Sequence, residues 1–393
     1  MARILLLSNG HGEDLSGALL AQSLRELGHQ TQALPLVGKG NAYRNAEIPL
    51  LGQTREFSTG GLGYTSLQGR LTELIQGQVL YLLQQLMRLL RHANRFDLIV
   101  VVGDVIPVIA AWLCRRPVAT YLVAYSSHYE GRLRLPWPCG ELLATRRFRA
   151  VFSRDQRTAT DLSEQLRRPV TFLGNPFMDP VLSPTQPLPD ATHRIGLLPG
   201  SRRPELEDNL RLLLAMVNNL PSDARITLDL ALVTSLADVD LNPLATQLGW
   251  QLSNAQLHHP SGTVVQVRRN AFQAVLQHSD LLVCMAGRAA EQAVGLARPV
   301  LQLPGRGPQF TAAFAEAQRR LLGPTVFCAP GETGSTRNLE ESARLALELL
   351  NRSQTDPELQ QQCRLEAERR LGSSGGGRRM AEAISALAHQ QNR

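Results

Sequence analysis

The stretch DPVLSPTQPLPDAT, residues 179–192, decides the architecture, because it separates two series of alternating strand and helix patterns. Four prolines crowd into it: Pro180, Pro184, Pro187 and Pro189. Proline fixes φ and has no amide hydrogen to donate, so this density continues neither a helix nor a sheet. We therefore interpret residues 179–192 as a linker between two domains.

Before this linker, apolar and β-branched runs alternate with one-sided apolar patterns. Strands are predicted at residues 3–8, 97–103, 118–124, 150–153 and 170–174, and helices at residues 15–28 and about 67–91. The second helix has a wide apolar stripe, formed by Leu71, Leu74, Ile75, Leu82, Leu86, Leu89 and Leu90. Such a stripe fits packing on a core, and it also fits contact with acyl chains.

After the linker the alternation starts again. Strands are predicted at residues 194–198, 226–233, 263–267, 280–284, 299–303 and 325–328, with helices between them and from residue 337 onward. Two such series predict an α/β chain of two doubly wound domains that face a central cleft. We expect domains at residues 1–178 and 193–372, and a last helix at residues 373–393 that packs back on the first domain.

Composition sets the broad class of protein. Of the 393 residues 43% are apolar and 19% charged, as in globular proteins, and no apolar run is long enough to span a bilayer. The first residues enter a strand pattern without a signal-peptide cleavage site, so we expect a cytoplasmic protein. The five cysteines lie far apart without a CxxC pair, which favours reduced, mostly buried thiols over disulfides or a metal site.

The net charge of +7 comes almost entirely from arginine, because Lys39 is the sole lysine. Genomic codon bias explains this composition, and so does a preference for anionic partners. Seven arginines fall in residues 132–157, against only Glu141 and Asp155, and they alternate with Leu, Phe and Trp137. This pattern favours binding to an anionic membrane surface over binding to nucleic acid, because a nucleic-acid site would contain aromatic residues that stack on bases. A solvated basic face has the same composition. We predict peripheral membrane association and no nucleic-acid partner.

Two strand-to-helix turns of the second domain could bind an anion and a sugar nucleotide. In LLPGSR, residues 197–202, Gly200 permits close approach, Ser201 can cap the next helix and Arg202 adds a bidentate cation. Helix capping alone explains the same residues. In MAGRAAEQA, residues 285–293, a glycine turn opens a helix that carries Glu291. This carboxylate could accept both hydroxyls of a ribose, or it could simply complement the helix dipole.

Three further stretches supply polar side chains at strand ends. Asp104 follows the strand that ends at Gly103, where it could act as a general base or as a helix cap. Asn175 ends the last strand of the first domain, and we assign it to donor binding. The loop SNGHGED, residues 8–14, follows the first strand, and its candidate acceptor-binding residues are Gly10, Gly12, Glu13 and Asp14. Capping of a helix from residue 15 is the other interpretation of Asp14.

Taken in order, LLPGSR, FLGNPFMD (residues 172–179), VVVGDVIP and the glycine–glutamate helix resemble glycosyltransferases of the GT-B architecture, which has two Rossmann-like domains. The closest likeness is to lipid-A-disaccharide synthase and its relatives in photosynthetic lineages. The resemblance implies an inverting, metal-independent transfer without a cofactor, from a UDP-sugar on the second domain to a lipid-linked acceptor on the first. It implies that Arg202 holds the diphosphate, Glu291 the ribose and Gln309 the donor sugar. Asp104 would be the catalytic base, with His11 in support.

Two of these motifs depart from the synthase pattern. Its first loop has the form Ala-Gly-Glu-x-Ser-Gly-Asp, and SNGHGED is closer to the Gly–His turn of the enzyme that adds N-acetylglucosamine to the peptidoglycan lipid precursor. Gly287 and Arg288 stand where the synthase has a Gly-Thr turn. Two other functions fit the same sequence: a UDP-sugar epimerase of this fold, and a non-catalytic scaffold that binds lipid or a partner.

Overall fold

The chain forms two compact units. The computed structural model describes residues 1–55, 78–203, 205–221, 225–305 and 312–390. Unit 1 contains Met1–Asp179 together with Gly372–Arg393, and unit 2 contains Pro180–Leu371. In both units a mainly parallel sheet is connected by helices, so the α/β class predicted from the alternation is confirmed.

Unit 1 is built on six parallel strands in the order β2-β1-β3-β4-β5-β6. These strands are β1 (Arg3–Ser8), β2 (Gln30–Pro35), β3 (Leu98–Val102), β4 (Val118–Leu122), β5 (Phe148–Ser153) and β6 (Thr171–Phe172). Strand β2 was missed by the sequence analysis, because QTQALP begins with polar residues and lies at the edge of the sheet.

Helices cover both faces of this sheet. They are α1 (His11–Glu26), α2 (Asn41–Asn45), α3 (Gln78–His92), α4 (Val105–Leu113), α5 (Ser127–Glu130), α6 (Cys139–Leu143), α7 (Gln156–Leu166), α8 (Asp179–Leu182), which runs into unit 2, and α16 (Gly376–Gln390). The side chains of β1 alternate between the two cores that result. Leu5 and Leu7 pack with α3, α4, α6 and α7, whereas Ile4 and Leu6 pack with α1, α2 and α16.

Asp179 fastens the last helix to unit 1. One carboxylate oxygen accepts the backbone N–H groups of Gly375 at 2.7 Å and Gly376 at 3.0 Å, and the other accepts the N–H of Gly377 at 2.8 Å. The first N–H groups of a helix have no partner within the helix, and a negative charge there also complements the helix dipole. The last residue of the FLGNPFMD motif therefore has a structural role.

We expect Asp179→Ala to lower the free energy of unfolding by about 1–2 kcal/mol, because three helix N–H groups lose their acceptor. Urea unfolding followed by circular dichroism measures the change. Asp179→Asn keeps one acceptor oxygen, so its free energy of unfolding should lie between those of wild type and Asp179→Ala. If Asp179→Ala unfolds at the wild-type urea concentration, this carboxylate does not stabilise the last helix.

Unit 2 contains an eight-stranded sheet in the order β14-β13-β12-β7-β8-β11-β10-β9. The strands are β7 (His193–Leu198), β8 (Ile226–Leu232), β9 (Gln251–Ser253), β10 (Gln256–His258), β11 (Val264–Arg269), β12 (Leu281–Cys284), β13 (Val300–Gln302) and β14 (Val326–Phe327). The antiparallel hairpin β9–β10 at the sheet edge was not predicted, because its strands are only three residues long.

The helices of unit 2 are α9 (Glu205–Val217), α10 (Asp238–Gln247), α11 (Phe272–His278), α12 (Gly287–Gly295), α13 (Ala312–Leu322), α14 (Thr336–Thr355) and α15 (Pro357–Arg370). Its sheet carries one buried ionic cluster that the sequence did not reveal. Asp229 on β8 is fully buried and binds Arg194 on β7 and, at 2.6 Å, Arg268 on β11. A buried carboxylate needs such partners to offset its desolvation.

The five cysteines are free thiols, four of them buried. None of the described helices has the length and apolar character needed to cross a membrane.

Candidate functional site

The order of the strands in unit 2 reverses between β7 and β12. From β7 the chain continues to β8 on one side, and it later crosses to β12 on the other. Ligands of open α/β sheets bind at the carboxyl ends of the strands at such a reversal, because the loops on either side diverge there. The LLPGSR turn follows β7 and the AGRAAEQA turn follows β12, so both candidate turns flank this reversal.

The two turns touch each other. The N–H of Met285 donates to the carbonyl of Leu198 at 3.0 Å, which joins the ends of the two strands. Gly200 has φ +104°, a conformation that favours glycine, and a Cβ built on it would lie 3.5 Å from the Cβ of Ala286. Two helices, α9 and α12, begin directly after these adjoining turns, so their N-terminal dipoles lie at one edge of the sheet.

The predicted donor-binding side chains are distributed over these two helix starts. Ser201 and Arg202 are exposed in the turn before α9, while Arg288 and Glu291 are half-buried on α12, which begins at Gly287. The structure thus brings the cation of one turn and the carboxylate of the other to the same strand ends. Gln309 lies outside the described residues.

Asn209 supports the first turn and was missed by the sequence analysis. This side chain on α9 is buried, and its Nδ2 donates to the carbonyl of Pro199 at 2.8 Å. It belongs to the buried face that also contains Leu206, Leu210 and Leu213. A polar residue within an apolar helical stripe was the available signal, because a buried amide needs a hydrogen-bonding partner.

Unit 1 has its own reversal, between β1 and β3, because β2 lies beyond β1 and β4 beyond β3. SNGHGED follows β1 and GDVIP follows β3. The side chains of the two turns meet, since Asn9 Nδ2 donates to Asp104 Oδ2 at 3.0 Å. The predicted acceptor loop and the predicted base therefore belong to one crevice of unit 1.

Asp104 caps helix α4, which was one of the two roles predicted for this residue. Its Oδ1 accepts the N–H of Ile106 at 2.9 Å, and the residue is half-buried. Burial raises the pKa of Asp104, and the hydrogen bonds from Ile106 and Asn9 act in the opposite direction. A carboxylate with a raised pKa is a better proton acceptor, so capping and general-base chemistry are compatible here.

Glu13 is the second carboxylate of this crevice. Its Oε2 accepts the N–H of Asn9 at 2.9 Å. A Cβ built on Gly103, which has φ +153°, would lie 3.0 Å from the same oxygen, so glycine at this position leaves room for the carboxylate. Glu13 therefore lies against the residue that precedes Asp104.

Helix α1 begins at His11, four residues earlier than predicted, so most of SNGHGED forms its first turn. Gly10 is the N-cap, with φ +154° and no side-chain cap. The side chain of His11 lies outside the described part of the structure, and Gly12 and Glu13 are half-buried. The extra turn changes the environment of Asp14, which was expected either to face an acceptor or to cap the helix.

Asp14 does neither, because it is buried, with 1% of its surface exposed. Ser8 Oγ donates to Asp14 Oδ1 at 2.6 Å, and Tyr43 Oη donates to Ser8 Oγ at 3.0 Å. A Cβ built on Gly17 would lie 2.0 Å from Tyr43 Oη, so glycine is required there. This chain was invisible in the sequence, where Ser8 and Tyr43 are 35 residues apart.

Burial raises the pKa of Asp14 to about 7, although the hydrogen bond from Ser8 lowers it. Between about pH 4 and pH 7 the folded protein therefore holds a proton that the unfolded chain has lost, and stability decreases as the pH rises. We expect wild type to lose on the order of 3 kcal/mol more than Asp14→Asn over this interval, because an amide does not titrate. Urea unfolding at several pH values tests this, and parallel profiles would contradict it.

Asn175, predicted to bind the donor, is fully buried in unit 1. Its Oδ1 accepts a short hydrogen bond from the hydroxyl of Tyr121, and its Nδ2 donates to the carbonyl of Arg154 at 2.9 Å. Both ends of the amide thus bond within the protein, linking the end of β6 to β4 and β5. Its position in this structure is that of a packing residue, which corrects the expectation that the side chain reaches a ligand.

Tyr125 also belongs to the crevice of unit 1. Its hydroxyl accepts the N–H of Val105 at 3.1 Å, next to Asp104. Burial raises the pKa of Tyr125, and the nearby charge of Asp104 raises it further. Across the described residues no group of three or more His, Cys, Asp or Glu is arranged to hold a metal ion.

Two Rossmann-like α/β units with polar turns at the strand reversals define the GT-B fold. Solved structures of this fold align with the whole chain. The glycotransferase of kitacinnamycin is 16% identical, with a TM-score of 0.63 and 98% of each chain covered. The calicheamicin glycosyltransferase CalG4 is 18% identical, with a TM-score of 0.60 and 99% of each chain covered.

The same architecture occurs in an epimerase. UDP-GlcNAc 2-epimerase from Neisseria meningitidis, solved with UDP-GlcNAc bound, is 15% identical, with a TM-score of 0.55, and the alignment covers 99% of this chain and all of that one. No family model and no curated protein matches the sequence. At these identities the likeness establishes the fold.

Proposed function

We propose that the protein is an inverting glycosyltransferase, related to lipid-A-disaccharide synthase, that moves a sugar from a UDP-sugar to a hydroxyl group of a lipid-linked acceptor. The observation that carries this proposal is the chemical contrast between the two strand reversals. Helices begin at both reversals, but the turns of unit 2 carry the cations Arg202 and Arg288, whereas those of unit 1 carry the carboxylates Asp104 and Glu13. The first set suits a diphosphate, and the second suits activation of a hydroxyl group.

In unit 2 the diphosphate of the donor lies at the turn of Gly200, Ser201 and Arg202 and at the start of α12. Backbone N–H groups and the guanidinium then stabilise the charge that builds up on the departing UDP. Glu291 accepts the ribose hydroxyls, and Gln309 binds the donor sugar. No metal ion or cofactor is required for this division of roles.

In unit 1 the acceptor binds at Gly10, Gly12 and Glu13. Its hydroxyl oxygen attacks the anomeric carbon as the bond from that carbon to the UDP oxygen breaks, and UDP leaves with the electron pair. Asp104 takes the hydroxyl proton, with His11 in a supporting role in its removal. A positioned base of this kind contributes roughly 10²–10⁴-fold to the rate.

Helix α3 supports the assignment of a lipid-linked acceptor. Leu89 is fully buried and Leu82 and Leu86 pack against the same core, so this part of the predicted stripe serves the core. Leu71, Leu74 and Ile75 lie outside the described residues. A second apolar set on α3 is exposed: Val79, Leu80, Leu83, Met87 and Leu90. Exposed apolar residues concentrated on one helix mark interaction surfaces, and together with the basic segment they favour a cytoplasmic protein bound peripherally to an anionic membrane.

The decisive experiment compares lipids from cells with and without the protein by mass spectrometry. We expect a glycolipid to disappear and its unglycosylated precursor to accumulate. The precursor is then incubated with purified protein and UDP-sugars, and sugar transfer with release of UDP is measured. Identical lipid profiles together with no transfer to any extracted lipid would refute the proposal.

Epimerisation of a UDP-sugar is the second candidate, favoured by the alignment with the Neisseria epimerase. It needs no acceptor. Incubation of the protein with UDP-N-acetylglucosamine alone, followed by chromatography, would then yield an epimer. If the protein has no affinity for UDP at all, the third interpretation, a non-catalytic scaffold, replaces both enzymatic ones.

A further inference from the structure

A groove on unit 1 lies apart from the residues assigned to catalysis. It has a volume of about 1180 Å³ and is formed by the loop before α6, by α6 itself and by the end of α7. The residues of its lining that matter here are Arg132, Arg134, Trp137, Leu135, Leu166 and Arg167. Because a helix that follows a parallel strand runs back across the sheet, the end of α7 lies at the amino edge. Asp104 lies at the opposite, carboxyl edge.

The wall of the groove is held rigidly. Asp161 on α7 accepts the N–H of Leu133 at 2.7 Å, and Gln165 donates to the carbonyl of Leu133 at 3.0 Å. Burial raises the pKa of Asp161, but hydrogen bonds that its carboxylate accepts from the N–H of Leu133, from Ser127 and from Gln165, together with the charge of Arg132, outweigh it and lower the pKa overall. Asp161 is therefore an ionised anchor, and the groove exists before any ligand binds.

The arginines of the groove outnumber the acids around it. Arg132, Arg134 and Arg167 are exposed, and none of them forms an ion pair within the described ranges. Among the described lining residues the acid is Glu141, and Asp161 behind the wall acts on Arg132, so a surplus of one positive charge remains. Some exposed arginines of unit 2, by contrast, are paired: Arg319 and Arg320 contact Glu316.

Trp137 adds an apolar element at the edge of the groove. Its side chain is 83% exposed, beside the half-buried Leu135 and Leu166. An exposed indole is costly in water and is favoured at the interface of a bilayer, where its ring meets both headgroups and acyl chains. Unpaired guanidinium groups next to such a ring match a phosphate attached to a hydrocarbon chain.

We propose that this groove binds the phosphate headgroup of an anionic phospholipid in a bilayer, with Trp137 inserted at the interface. It is a second lipid site, separate from the acceptor crevice. The inference rests on the membrane association contained in the proposed function and is independent of the transfer reaction.

The test uses the full chain and vesicles of phosphatidylglycerol mixed with phosphatidylcholine. One variant combines R132Q, R134Q and R167Q, and the matched control combines R319Q, R320Q and R344Q, which removes the same charge from unit 2. All six side chains are exposed, so thermal unfolding should stay close to wild type. In vesicle flotation we expect the groove variant to lose at least roughly tenfold in partitioning, since each arginine near an anionic surface is worth roughly fivefold. The control should resemble wild type.

Tryptophan fluorescence gives an independent measurement. Trp250 is buried and Trp112 half-buried, so a blue shift on addition of vesicles should come from Trp137 and vanish in W137F. Equal partitioning of the two triple variants, or an unchanged blue shift in W137F, would overturn the inference. UDP titration of the same samples separates the two proposals. Protein that binds UDP but not vesicles contradicts the groove and the membrane association but leaves the sugar transfer standing, whereas protein that binds vesicles but not UDP contradicts the transferase and leaves the groove standing.

Discussion

Asp104→Asn is expected to lower turnover by roughly 10²–10⁴-fold and to leave UDP affinity unchanged. The carboxylate is placed to take the proton of the acceptor hydroxyl, and an amide cannot take it. UDP, by contrast, is assigned to unit 2, where this substitution alters nothing. Single-turnover kinetics and isothermal titration with UDP measure the two effects separately.

The substitution should preserve the fold, which makes the loss interpretable. Asparagine caps helices about as well as aspartate, so the bond from the N–H of Ile106 can be kept. In the wild-type protein Asn9 donates to Asp104 Oδ2, and the Oδ1 of Asn9 is buried without a hydrogen-bonding partner. A flip of the Asn9 amide would turn that oxygen toward the new amide group and restore the hydrogen bond.

Asp356→Asn is the matched control for Asp104→Asn. Asp356 also caps a helix, α15, through the N–H groups of Glu358 and Leu359, but it has no catalytic assignment. We expect full activity from this variant. Should Asp104→Asn also retain full turnover, Asp104 is a cap and nothing more.

Arg202→Ala is expected to weaken UDP binding on the order of 100-fold, because hydrogen bonds to charged groups are worth about 1.5–3 kcal/mol. The neighbouring arginine provides an unusually close control. Arg203 is exposed too, and its guanidinium is held by Glu207 in a short contact and by Asp240 at 3.3 Å. Arg203→Ala should therefore leave UDP affinity nearly intact.

Titration at two salt concentrations sharpens this comparison. A contact between Arg202 and a diphosphate weakens as salt screens the charges, so the wild-type advantage over Arg202→Ala should shrink. Equal losses in Arg202→Ala and Arg203→Ala would indicate a general electrostatic effect instead of a specific site. No loss in either would remove the PGSR turn from the donor site.

Strands and helices could be located from the sequence where the local residue pattern fits only one type of element. The continuous apolar runs of β1, β3 and β12 are buried on both faces, and their positions were predicted to within one or two residues. Strand β2 was missed because its polar first residues hide a mostly buried strand, and the hairpin β9–β10 because its strands are only three residues long. Helix α1 was placed too late, because Gly10 and Gly12 suggested a loop where glycine in fact starts the helix.

The candidate site divides in the same way. Turns at strand ends could be predicted, because strand ends are visible in the sequence and the sheet brings them together. The environments of the site side chains could not be predicted. In the sequence Asp14 and Asn175 look like exposed turn residues, but in the fold Tyr43 and Tyr121 pack beside them. Long-range burial decides whether a polar residue meets a ligand or the protein itself.

The anchoring of α16 by Asp179 has a consequence for biosynthesis. Unit 2 is one continuous stretch of chain, Pro180–Leu371, and is complete as soon as that stretch has left the ribosome. Unit 1 is translated first, yet one face of its sheet needs Met380, Ala381 and Ile384, which are translated only after the whole of unit 2. Unit 2 can thus complete its fold before unit 1. Until α16 has been translated, the growing protein exposes the apolar sheet face that this helix covers. Chaperones that recognise nascent chains would find their binding surface on unit 1.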